Sequence, residues 1–95
     1  MAQSDIQIGN VRNLLHKVVD DWRYDERRAV RNRLLDYEEK LEKIEQREAR
    51  GEEVPLKQQT LEHYENYKSR VDAKYEMIDE AHRQMIAYVE GRAAE

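Results

Sequence analysis

Leu61-Glu-His-Tyr64-Glu-Asn-Tyr-Lys68-Ser-Arg-Val71-Asp-Ala-Lys-Tyr75-Glu-Met-Ile78-Asp-Glu-Ala-His82-Arg-Gln-Met85-Ile-Ala-Tyr-Val89 is the stretch that decides the fold. Read in sevens, Tyr64, Val71, Ile78 and Met85 fall at one core position. Leu61, Lys68, Tyr75, His82 and Val89 fall at the other. A 4-3 repeat held over about four heptads sets side chains along one seam of a helix. The rest of the chain reads as what this helix packs against.

The partner precedes it. Val30, Leu34, Tyr37, Leu41 and Ile44 repeat the 4-3 spacing. Between the two seams lies the firmest local signal. Arg47 and Arg50 put cations in the last turn of a first helix, and Gly51 follows as a residue free to turn left-handed. Glu52, Glu53 and Pro55 then suit the start of a second helix. A loop this short, Gly51–Val54, forces an antiparallel pair. The expected fold is all-α: a coiled-coil-like two-helix hairpin forming one domain over residues 1–95. Helix 1 is expected over about 10–50 and helix 2 over about 55–90, with 1–9 and 91–95 frayed. Gly9-Asn10 and Gly91 motivate those ends. The pairing sets Val71 level with Leu34, Tyr64 with Leu41, Leu61 with Ile44, and Met85 and Val89 with Val19 and His16.

The first half of helix 1 does not continue its second half in register. Val11, Leu14, Leu15, Val18, Val19 and Trp22 form one set, and Trp22 to Val30 is eight residues, a stutter in a seven-residue repeat. A break near Asp20-Asp21, with Asp21 capping a new helix, is the alternative and would give a three-helix bundle.

Composition bounds the function. The 95 residues are 40% charged against the ~25% of average domains, which suits long exposed helices. There is no cysteine, hence no disulfide and no thiol chemistry. No apolar run approaches the ~20 residues of a membrane helix and no signal peptide is visible, so the default compartment is the cytoplasm. The net charge of −4 lies wholly in the last 45 residues. Nothing in that balance marks a basic domain.

Catalysis finds no footing. Ser4, Thr60 and Ser69 sit in no nucleophile motif, and no glycine-rich phosphate loop exists. Asp79-x-x-His82 approaches the Glu-x-x-His spacing of metal bundles, but the seam of helix 1 offers no carboxylate. The reading is non-enzymatic, with no cofactor, no metal and no small-molecule substrate. His82 is expected beside Glu26 on the seam, and Lys68 is expected to reach outward past Tyr37.

What remains is interaction. One seam is a thin core, so a second layer is expected. The apolar face widens at the open end on both helices: Val11, Leu14, Val18 and Trp22 on the first, Met77, Ala81, Met85 and Tyr88 on the second. These eight form the candidate protein interface. The occupant is a second copy completing a four-helix bundle, a larger protein, or residues 1–9 folding back with Ile6 and Ile8. Arg23, Arg27, Arg28 and Arg31 form a candidate contact for an anionic partner, with Asp20, Asp25, Asp36 and helix 2 as alternative counter-ions. The architecture resembles small plasmid RNA-binding helical hairpins that dimerise into four-helix bundles, although none of their motifs is present. The expected role is a small regulator, adaptor or inhibitor that docks on a larger protein. Nucleic-acid binding through the arginines, or an assembly or chaperone-like role, is the alternative.

Overall fold

In the computed structural model the chain is a helical hairpin of α1, Ala2–Ala49, and α2, Lys57–Ala94. The structure describes the backbone of residues 2–94 and the side chains of residues 9–91. The two-helix, all-α expectation holds. α1 runs through Asp20 and Asp21 without interruption, so the three-helix alternative does not apply. Both helices pass the ends expected from sequence: Gly9 and Gly91 lie inside them. One glycine costs about 1 kcal/mol relative to alanine, too little to stop a helix by itself. Because the helical backbone continues to Ala2, residues 2–9 extend α1 instead of folding back.

The turn follows the punctuation in the sequence. Gly51 has φ of +84°, the left-handed conformation that a side chain resists. The Glu52 N–H donates to the Arg47 carbonyl at 3.1 Å and the Gly51 N–H to the Glu48 carbonyl at 2.9 Å. Together these form a Schellman motif that satisfies the last carbonyls of α1. Pro55 is not the first helical residue. It sits in a tight turn closed by the Lys57 N–H on the Val54 carbonyl at 3.1 Å, where its fixed φ suits the second position. Lys57 then pairs with Glu48 at 2.8 Å across the hairpin.

The chain divides into two compact units, each built from both helices: unit 1 is Met1–Arg27 with Glu76–Glu95, and unit 2 is Arg28–Tyr75. Val19 and Val89 are buried in unit 1, and Val30, Ile44 and Val71 in unit 2. Among the described residues no side chain is fully buried, so each core is a single seam. In α2 the expected seam residues are all at least half-buried except Lys68, which is exposed. Tyr67 is drawn in instead, with its ring 5.8 Å from that of Tyr37, and Tyr64 lies 6.3 Å from Tyr37. Lys68 reaches outward, and its ammonium stands 5.6 Å from the Tyr64 ring. An aromatic ring buries more apolar area than a lysine stem, so the tyrosine takes the seam.

Candidate functional site: the two faces of unit 1

In unit 1 the α1 positions turned toward α2 are His16, Val19, Arg23 and Arg27. They step by three, four and four, which is how the helix absorbs the extra residue of the stutter. The α2 positions turned inward are Ile78, His82, Met85 and Val89. In an antiparallel pair, residues just before a seam position on each helix share one side of the hairpin, and residues just after it share the other. The two sides of unit 1 are chemically opposite.

The after-seam side is closed by charge. Asp79, next to Ile78, takes the Arg23 Nε at 2.7 Å on one oxygen and an Arg27 terminal nitrogen at 2.9 Å on the other. Those arginine hydrogen bonds, that of Arg23 first, hold the Asp79 carboxyl below its usual range. Glu90, next to Val89, bonds to His16 and accepts from Arg12 at 2.7 Å. Its carboxyl is likewise lowered, first by His16 and then by Arg12. His82 pairs with Asp20 at 2.7 Å. The expected neighbour Glu26 is exposed instead, because the stutter brings Arg27 inward in its place.

The before-seam side is apolar. Val11, Val18, Met77 and Tyr88 are between 52% and 73% exposed there, and Leu15, just before His16, is 43% exposed. Trp22, Ala81 and Met85 are half-buried beside them. An open groove of about 410 Å³ runs along this side, lined by Val19, Ala81, Gln84, Met85, Tyr88 and Val89. Six of the eight residues expected to form an interface lie on this side, on two adjoining helices; Met85 reaches the groove from the seam itself, and Leu14 falls on the outer face of α1, away from the seam.

The candidate anionic contact fares differently. Arg23 and Arg27 are brought together, but on Asp79. Arg28 and Arg31 are exposed and belong to unit 2. The four arginines therefore do not form one open site. Counter-ions come from α2, as the acidity of that helix allows, yet from a residue the sequence suggested for another role.

Sequence reasoning missed the aromatic cluster of unit 2. Arg33 lies 6.0 Å from the Tyr37 ring and 5.6 Å from that of Tyr67, Lys74 lies 5.5 Å from Tyr67 and Lys40 5.8 Å from Tyr37. These are cation–π distances. Partial burial raises the Tyr67 phenol above its usual value, with Arg33 opposing. Charge spacing beside Tyr37 and Tyr67 was the available signal.

Among the described residues no helix is long and apolar enough to cross a membrane. Comparison with protein-family models, with curated proteins and with solved structures returned no match.

Proposed function

We propose that this chain is a non-enzymatic protein–protein interaction module, a small helical regulator, adaptor or inhibitor that docks on a larger protein through the apolar side of unit 1. One observation carries the reading. The same short length of hairpin closes one side with inter-helix ion pairs and leaves the other with four large apolar side chains more than half exposed, Val11, Val18, Met77 and Tyr88. Soluble monomers rarely keep a contiguous apolar patch of this kind without a use for it. Trp22, Met77, Met85 and Tyr88 are also residue types enriched at interface centres.

The test is the double variant Trp22→Ala with Tyr88→Ala. Circular dichroism should show nearly unchanged helix content, because Val19 and Val89 still fill the seam. A photoreactive analogue at position 88 should cross-link the wild-type chain to a partner in extracts of the native host, and Trp22→Ala should weaken the adduct. Light scattering on the purified chain separates a larger protein from a second copy on the same face. Retention of both mass and adduct by the substituted chains would show that this side is not the interface.

A further inference from the structure

Unit 2 is divided by charge along its length. Before the seam on α1 stand Arg33, Lys40 and Arg47, one every seven residues, and Arg70 and Lys74 hold the matching side of α2. Asp36 is the only acid among them on that side. After the seam stand Glu38, Glu42 and Glu45 on α1 and Glu62, Glu65 and Asp72 on α2, with Arg31 the only base. The contacts agree with this division. Arg33 and Lys74 meet over Tyr67 on one side, and Glu38 accepts the Tyr64 hydroxyl at 3.2 Å on the other.

Hairpins of this kind ordinarily set opposite charges across the flanks of the seam. Here the register fixed by Tyr64–Glu38 and Lys57–Glu48 sets like against like: Glu38 across from Glu65, Glu42 from Glu62, Arg33 from Arg70. None of these six is in an ion pair among the described residues. The arrangement repels within the chain, so intramolecular stability does not account for it. A polyanion such as RNA would use the basic side and leave the acidic side without a purpose. One occupant uses both.

We propose that unit 2 binds a second copy of this chain, the basic side of one copy against the acidic side of the next. Arg33 and Lys40 are seven residues apart, as are Glu38 and Glu45, so the first pair on one copy can face the second pair on another in register. The contact joins two different surfaces and leaves one of each free, so it propagates and does not close at two. It makes no use of unit 1.

The experiment is sedimentation velocity of the full chain carrying Trp22→Ala and Tyr88→Ala, which removes unit 1 from the result. Salt is set at about 20 mM and about 0.5 M, where the screening length falls from about 20 Å to about 4 Å. At low salt the weight-average mass should rise with protein concentration, past that of a dimer, and at high salt it should fall at least about twofold. Reversing the basic side (Arg33→Glu, Lys40→Glu, Arg70→Glu, Lys74→Glu) or the acidic side (Glu38→Lys, Glu42→Lys, Glu62→Lys, Glu65→Lys) should leave each chain monomeric at low salt. Mixing the two reversed chains should restore a complex. Both reversals keep like opposite like, so circular dichroism should remain helical, and the salt series on the unreversed chain stands whether or not they fold. A mass independent of salt overturns the proposal. So does binding of a fluorescent oligo-uridine to the basic side without any self-association.

Discussion

Val71→Asp tests the seam of unit 2. Val71 is 7% exposed and is one of three buried apolar residues in unit 2, with Val30 and Ile44. Losing the burial of a valine side chain costs about 2 kcal/mol. Placing a carboxylate there without a partner adds about 2 kcal/mol more, since the side chain can bend toward water in so narrow a core. The loss is then about 4 kcal/mol. A chain of 95 residues with a single-seam core has about 5 kcal/mol to lose, at the low end for its length. In urea, with a slope of about 1.3 kcal/mol per molar, the midpoint should fall by about 3 M, leaving the variant close to unfolded in buffer. Helicity followed by circular dichroism at fixed protein concentration reads this directly. Leu35→Gln is the control. Leu35 is 48% exposed, so its substitution should stay within about 0.5 kcal/mol. Equal midpoints for Val71→Asp and the wild type would refute the seam assignment. A large loss from Leu35→Gln would show that the buried face lies elsewhere.

Asp79→Asn should destabilise the chain at neutral pH and do so less in acid, below the usual carboxylate range. The Asp79 carboxyl is held below its usual value in the folded chain, so its contribution is present above that usual value and is lost as pH falls through the lowered one. Urea midpoints of both chains at the two pH values measure it, and a gap that persists in acid rules out the ion pairs as its source. Gly51→Ala should cost about 1 kcal/mol, because the left-handed φ alone resists a side chain and an added Cβ meets nothing within 4 Å. Gly9→Ala meets equally open space inside a helix and should stabilise by up to about 1 kcal/mol, so thermal melts of the two variants should move in opposite directions.

The parts of the fold that could be read in the sequence share a cause. Heptad spacing and turn chemistry are local, and each is set by sterics within a few residues. Gly51 had to be left-handed because the Schellman bonds of Glu52 and Gly51 need it, and no other residue nearby could supply that φ. Tyr67 was not readable in the same way. A strict repeat puts Lys68 on the seam, and only the nearness of Tyr37 and Arg33, supplied by the other helix, makes the neighbouring ring the better occupant. The helix ends failed for an energetic reason. Gly9 and Gly91 are weak signals of about 1 kcal/mol each, and among the described residues no capping bond at either outweighs continued helix.

The stutter explains both the apolar side and the paired arginines of unit 1. An extra residue in the repeat moves the inward line of α1 from Val19 onto Arg23 and Arg27, which no core of Val and Leu would accept. Two arginines turned inward need an acid opposite, and Asp79 supplies it because it follows Ile78 on the same side of the hairpin. The arginine spacing is therefore the mark of a satisfied helix contact, and its resemblance to an open anionic site is a consequence of both needing cations every four residues. The same shift leaves Val11, Leu14, Val18 and Trp22 off the inward line, where α2 cannot cover them. Removing the shift should reverse this. Deleting one residue between Trp22 and Arg27 would shorten the Trp22–Val30 spacing from eight residues to seven, bring a different set of residues inward, and expose Asp79 without its two partners. That deletion should lower stability and, in the same sample, abolish cross-linking from position 88. A deletion that lowers stability yet preserves the adduct would separate the ion pairs from the apolar side, and would show that the stutter does not set the interface.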